Sequence, residues 1–302
     1  MQILRTPDDR FDGLADYPFA PTYTEIDDTL GGRLRVHHVD EGPREASPVL
    51  CMHGEPSWSY LYRHMIPIFA DAGHRVVAPD LVGFGKSDKP AAPEHYTYAR
   101  HVAWMSDWLI RTDLRNITLV CQDWGGLIGL RLWAAFPDRF DRVVVANSAL
   151  PTGDQPMSEG FRSWRAFSQD VPEFPAGRIV HGGTVTKLTE AEVAAYDAPF
   201  PDESYKAGAR AFPLLVPDSP DNPESAANRA AWEVLKTLNT PLLTVFGADD
   251  KVLLGAERSF QRLCPGAQGQ PHAVLPDAGH FLQEDVGPDL ASRTLDFIAR
   301  TG

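Results

Sequence analysis

The sequence predicts an α/β fold, a mostly parallel sheet covered by helices and interrupted once by a helical insertion. Three observations point there. Short β-branched and apolar runs alternate with helix-length patterns up to about residue 149, the alternation then stops, and it resumes near residue 241. Strands that alternate with helices are joined by crossovers, which give parallel sheets buried on both faces.

In chain order, strands are expected at Leu34 to Val39, Val49 to Met52, Arg75 to Ala78, Ile117 to Cys121 and Arg142 to Ala146. Helical patterns occupy Trp58 to Ala72, Tyr98 to Arg111 and Gly125 to Phe136. Residues 150–225 are rich in Pro, Asp, Ser and Gly, with helical patches such as Leu188 to Tyr196. They read as a helical cap inserted between a first core part, 1–149, and a second, 226–302. The second part offers a strand at Pro241 to Phe246, a helix at Ala256 to Leu263, a strand at His272 to Leu275 and a closing helix from Pro288. No internal repeat is visible.

Composition bounds the function. The 302 residues are 43% hydrophobic and 23% charged, an ordinary globular balance for one large domain with an insertion. A net charge of −13, with no basic run of five or more, opposes binding to phosphate backbones. The N-terminus, MQILRTPDDRF, lacks the apolar stretch of a secretory signal. No apolar run approaches the roughly eighteen residues that span a bilayer. The three cysteines, Cys51, Cys121 and Cys264, are sparse and widely spaced, and read as buried thiols. The expectation is a cytoplasmic monomer with no nucleic-acid or membrane partner.

Gln122-Asp123-Trp124-Gly125-Gly126 follows the strand Ile117 to Cys121 and opens a helix. A sharp strand-to-helix turn that exposes a nucleophile needs small residues two positions either side, and Cys121 and Gly125 supply them around Asp123. The chain has no Gly-x-Ser-x-Gly. The competing reading is that Asp123 merely caps the helix. As a nucleophile, a carboxylate with an unperturbed pKa of about 3.9 is ionised at pH 7 and needs no base for its first attack. It can displace a leaving group at an sp³ carbon to leave an alkyl ester, whose hydrolysis does need a base.

Asp277-Ala-Gly-His-Phe281, between the last strand and the last helix, offers that base at His280. Asp249-Asp250 closes the strand Leu242 to Gly247, and Asp250 is the candidate to orient the imidazole. The order Asp123, Asp250, His280 is nucleophile, acid, histidine. His53-Gly54-Glu55-Pro56 follows the strand Val49 to Met52, where a loop can lend a backbone N–H to an oxyanion hole; the two donors would be those of Glu55 and Trp124. The Trp124 indole carries an N–H and no acceptor, suited to a large anion. The insertion has one tryptophan, Trp164, as candidate second donor. Gly85-Lys86-Ser87 lacks the leading glycine of a phosphate loop, since position 80 is Asp80. Neither His-Glu-x-x-His nor paired Cys-x-x-Cys occurs, so no metal and no cofactor is expected.

These residues resemble the haloalkane dehalogenases of the α/β-hydrolase fold, most of all the dichloroethane-degrading subfamily. The resemblance runs over most of the chain, through Arg5 to Phe11, His53 to Tyr60, Gly83 to Pro90, Leu114 to Leu119, Gln122 to Gly126, Gly160 to Trp164, Ala198 to Asp202 and Asp277 to Phe281. It implies Asp123, Asp250 and His280 as nucleophile, acid and base, and Trp124 and Trp164 as halide-binding indoles. It further implies Phe161 and Phe212 as pocket residues. Leu127 stands where the dichloroethane enzyme has an aromatic, and residues 150–160 are shorter, so the cavity is expected to differ in shape.

The implied partners are a small halogenated alkane and water, with halide as product. One alternative is an epoxide hydrolase, which shares the Asp nucleophile and needs acidic hydroxyls; the insertion offers Tyr196 and Tyr205. The other is a non-catalytic protein of this fold, which the complete triad argues against.

Overall fold

Thr22 to Leu275 contribute eight strands to one sheet in a computed structural model that describes all 302 residues. The strands in chain order are β1 (Ile3–Leu4), β2 (Thr22–Asp27), β3 (Arg33–Glu41), β4 (Pro48–Met52), β5 (Arg75–Pro79), β6 (Lys89–Pro90), β7 (Ile117–Gln122), β8 (Phe140–Ala146), β9 (Leu242–Gly247) and β10 (Ala273–Leu275). The helices are α1 (Ile66–Asp71), α2 (Tyr98–Thr112), α3 (Trp124–Ala135), α4 (Glu159–Asp170), α5 (Ala176–Gly182), α6 (Glu190–Asp197), α7 (Ala207–Leu215), α8 (Ser225–Leu235), α9 (Glu257–Leu263) and α10 (Leu282–Thr301).

The sheet order is β10-β9-β8-β7-β4-β5-β3-β2, parallel from β10 to β5 and antiparallel at the β3 and β2 edge. β1 and β6 form a separate antiparallel pair. β4, β7 and β9 are buried along their whole length, which is why they read as mostly apolar runs, broken only by Thr118, Gln122 and Thr244. Their side chains alternate between two cores. Leu119 and Cys121 of β7 face one with Trp104, Ile128 and Trp232, whereas Val120 faces the other with Phe69, Leu290 and Phe297.

Two expected helices differ in outline. The pattern over Trp58 to Ala72 splits into a 3₁₀ turn, Ser59–Tyr62, and α1, which starts at Ile66 with Pro67 in its first turn. Proline has no N–H to give and is accepted where none is needed. The closing helix begins earlier than Pro288, at Leu282, and Val286 leaves helical geometry just before that proline. Strand β2 was not anticipated: its sequence, TYTEID, is largely polar because it lies at the sheet edge.

Between β8 and β9 the chain folds as α4 to α8. Ser158 caps α4 by accepting the Phe161 N–H, and Thr189 with Glu192 forms a capping box on α6. Helix α6 is fastened to the core by buried polar contacts. Arg63 donates to Glu284 of α10 (2.5 Å) and Glu192 of α6 (2.9 Å), Tyr196 bonds Glu284, and Trp58 Nε1 donates to the Ala195 carbonyl (3.1 Å). No helix is long and apolar enough to cross a membrane.

Candidate active site

Asp123 stands at the turn from β7 into α3 with φ +47° and ψ −125°, a conformation rare outside glycine. Local packing enforces it. A Cβ on Gly125 would come within 2.0 Å of the Met52 carbonyl oxygen, and one on Gly54 within 2.3 Å of Asp123 Oδ1. The Asp123 N–H donates to the Asn147 carbonyl (2.9 Å), and its own carbonyl accepts the Ser148 hydroxyl (2.8 Å). The side chain does not cap α3. Its Oδ1 instead accepts the Glu55 N–H at 2.8 Å. Trp124 is the first residue of α3, so its N–H has no acceptor within the helix.

His280, in the loop between β10 and α10, meets both carboxylates. Its Nδ1 lies 3.0 Å from Asp250 Oδ2 and its Nε2 lies 3.6 Å from Asp123 Oδ2. The other oxygen of Asp250 accepts the N–H groups of Val252 (2.8 Å) and Leu253 (3.1 Å). Neighbouring Asp249 is exposed. Burial opposes charge on the imidazole, but Asp250 and Asp123 outweigh it and raise its pKa to about 10. Burial likewise opposes charge on Asp250, and His280 with the two backbone donors reverses that, leaving its pKa lowered.

Three polar residues not anticipated as part of the site hold it in place. Gln122, fully buried at the end of β7, donates its amide to the His280 carbonyl (3.1 Å) and lies 3.2 Å from the imidazole Nε2. Asn147 donates to the carbonyls of Gly279 (2.7 Å) and His280 (3.0 Å) and accepts the Gly247 N–H (2.8 Å). Ser148 bonds Asp123, as above. The signal available in the sequence was polarity itself, directly after the apolar runs Leu119–Cys121 and Val143–Ala146.

These groups open into a cavity of about 920 Å³. Glu55, Leu127, Phe161 and Trp164 line it, together with Asp123, Trp124 and His280. Phe212 does not. It stacks behind Trp124 (centroids 4.3 Å apart) and against Phe84 (4.9 Å), so it supports the indole without reaching the cavity. Pro213 and Val216 of the same segment form the wall instead. Three indoles border the cavity: Trp124, Trp164 and Trp232. The Trp232 N–H is taken by the Leu150 carbonyl (2.8 Å), whereas those of Trp124 and Trp164 donate to no protein acceptor.

The Glu55 carboxyl is buried with Oε1 unpartnered, and burial together with the nearby Asp123 charge raises its pKa well above the usual range. Tyr196 is committed to Glu284, and neither it nor Tyr205 lines the cavity. Elsewhere, ligand atoms of His64, Glu192 and Glu284 lie within 4.8 Å of one another, but both carboxylates are already paired with the Arg63 guanidinium. All three cysteines are free and buried.

A family model described as alpha/beta hydrolase fold matches residues 47–285. The chain is 58% identical over 298 residues to a haloalkane dehalogenase of Psychrobacter cryohalolentis, covering 99% of this chain and 98% of that protein. It is 52% identical over 297 residues to one of Mycolicibacterium paratuberculosis, covering 98% of each. Among solved structures it is similar to the tetrameric haloalkane dehalogenase DpaA from Paraglaciecola agarilytica, with TM-score 0.88, 36% identity and 98% coverage of both chains. With a carboxylate at the elbow of that fold and two unengaged indoles lining the same cavity, the chain belongs to the haloalkane dehalogenase family.

Proposed function

We propose that this member of the family hydrolyses haloalkanes in two half-reactions built on Asp123. In the first, Asp123 Oδ2 attacks the halogenated carbon. The carbon–halogen bond breaks as the carbon–oxygen bond forms, and the halide leaves toward the N–H groups of Trp124 and Trp164. In the second, water attacks the ester carbonyl and gives its proton to His280 Nε2, while the N–H groups of Glu55 and Trp124 hold the oxyanion. Collapse returns the carboxylate and releases the alcohol, and His280 gives up its proton. The balance is haloalkane and water to alcohol, halide and a proton.

The observation that carries this reading is two indoles with no protein acceptor lining the same cavity as a carboxylate whose Oδ1 already rests on a backbone N–H. Two carboxylates keep the resting imidazole protonated. Ester formation removes the Asp123 charge, which lowers the imidazole pKa and frees the base for the step that needs it. The epoxide alternative is disfavoured because neither Tyr196 nor Tyr205 reaches the cavity. Bromide release from 1,2-dibromoethane, with no diol from styrene oxide, is the expected result; diol without halide release would overturn the proposal.

The reading extends to organisation. Residues 150–225 act as the cap, supported by the cavity walls that α4, α5 and α7 supply. All site residues come from one chain, which supports a monomer as the working unit. Three free, buried cysteines support a reducing cytoplasmic setting.

A further inference from the structure

We propose that the buried amide of Gln122 favours the uncharged, proton-accepting form of His280, and so readies the ring for the second half-reaction. This deepens the dehalogenase reading above and rests on it. Gln122 is the last residue of β7, fully buried, one position before Asp123. Its amide nitrogen lies 3.1 Å from the His280 carbonyl oxygen and 3.2 Å from the imidazole Nε2. One N–H donates to the carbonyl, which leaves the other for the ring. Turning the amide over would set Oε1 against that carbonyl, oxygen against oxygen, so the orientation is fixed. Oε1 itself is buried and meets no donor. A buried acceptor left unmet is costly, so it is the N–H groups that hold the amide in place.

An N–H aimed at Nε2 discriminates between the two states of the ring. A bare Nε2 accepts it, whereas a protonated Nε2 meets it hydrogen to hydrogen. The Gln122 contact thus opposes the carboxylates that favour the imidazolium. Asp250, after β9, lies 3.0 Å from Nδ1, and Asp123, at the elbow, lies 3.6 Å from Nε2. Glu55, after β4, is held well above the usual carboxylate range by burial and by Asp123. Asp285 of α10 accepts the Gly279 N–H at 2.8 Å. The residues after β8 and α5 bring uncharged groups, Asn147 and the Gly183 carbonyl, to the same loop. Once the ester removes the Asp123 charge, Asp250 still favours the imidazolium, and Gln122 is the neighbour that opposes it at the ring. Its contact lies at the long end of the hydrogen-bond range, so water can share the lone pair. The water oxygen then bonds the ester carbon while its proton passes to Nε2.

The test follows ester hydrolysis with 1,2-dibromoethane across pH, by rapid quench and intact mass spectrometry. Hydrolysis should rise with pH as His280 loses its proton. In Gln122→Met, similar in length but without donors, that rise should move up by about one pH unit, the size of one ordinary hydrogen bond. Below the rise, hydrolysis is then about tenfold slower and ester accumulates, with about one bromide still released per site. Asn147→Leu is the control, because Asn147 donates to the same carbonyl (3.0 Å) and makes no bond to the ring. It should slow hydrolysis without moving the rise. A Gln122→Met rate lowered equally at every pH overturns the proposal, and so does an equal shift in Asn147→Leu. A second readout needs no turnover. By histidine NMR titration, adding Gln122→Met to Asp123→Ala should raise the His280 midpoint by about one unit, and an unchanged midpoint overturns the proposal. If Gln122→Met does not fold, the ¹⁵N spectrum of Asp123→Ala decides. Neutral His280 should carry its proton on Nδ1 and keep a bare, hydrogen-bonded Nε2; a proton on Nε2 overturns the proposal. Bromide from no substrate would sink the dehalogenase reading, while the titration still decides the part played by Gln122.

Discussion

The Nε2 of His280 lies 3.6 Å from the Oδ2 of Asp123, longer than a hydrogen bond but close enough for each charge to hold the other. The proposed base and the proposed nucleophile thus face one another, although in the proposed mechanism they act in different steps. Asp123→Ala should release no halide, since nothing remains to attack carbon. His280→Phe should release about one halide per active site and then stall as the ester. Rapid-quench halide assay and intact mass spectrometry, with the alkyl group on the Asp123 peptide, check both. Equal, burst-free inactivity in a folded His280→Phe protein that still binds substrate would count against the mechanism.

The same proximity makes the imidazole pKa report on the nucleophile. Its value of about 10 lies above the roughly 6.5 of a free histidine. The stability it contributes is therefore present in full below about pH 6.5 and is lost as pH rises through about 10. In Asp123→Ala one of the two carboxylates is gone, so His280 should titrate lower, and that loss of stability should fall at lower pH. Histidine NMR titration and urea denaturation at pH 7 and pH 10 measure the two effects. An unchanged titration would show that Asp250 alone sets the charge.

Trp164→Phe keeps the apolar bulk but removes an N–H from the departing halide. A hydrogen bond to a charged group is worth about 1.5–3 kcal/mol, so cleavage of the carbon–halogen bond should slow roughly ten- to hundredfold. Chlorinated substrates should suffer most, because chloride is the poorer leaving group. Single-turnover halide release is the measurement, and an unchanged chloride rate would remove Trp164 from the site.

Adjacent aspartates should differ sharply. Asp250 is buried on His280 Nδ1, whereas Asp249 is exposed. Asp250→Ala should cripple steady-state turnover, and Asp249→Ala should change it severalfold at most. Exchange of the two phenotypes would move the orienting role to Asp249.

Much of this site could be read from the chain because its residues fall where strands end. Runs such as ITLVCQ and VVVA are buried throughout, so their periodicity and boundaries are plain, and the polar residue that follows each is conspicuous. Strand β2 escaped because an edge strand with one wet face carries little apolar signal. Phe212 was misplaced for another reason. Sequence marks it as apolar, but whether it faces a cavity or an indole depends on helix α7 packing against α3. Gln122 sits 158 residues from the ring it holds, and no local pattern conveys that meeting.

The clamp formed by Arg63 gives the proposed cap two unlike borders. Along α6, separation would take Glu192 from the buried Arg63 guanidinium, Tyr196 from Glu284 and the Ala195 carbonyl from the Trp58 indole at once, with Arg63 keeping only Glu284 of α10. Along residues 152–158 the ties run through exposed groups, Arg229 to Asp154 and Ser158 to the Val252 carbonyl, which water can replace at small cost. Breathing of the cap is therefore one-sided. Amides of α6 should exchange with deuterium only through global unfolding, and those of the 152–158 loop through frequent local opening, so that traffic to Asp123 passes beneath the free border while the other serves as the hinge.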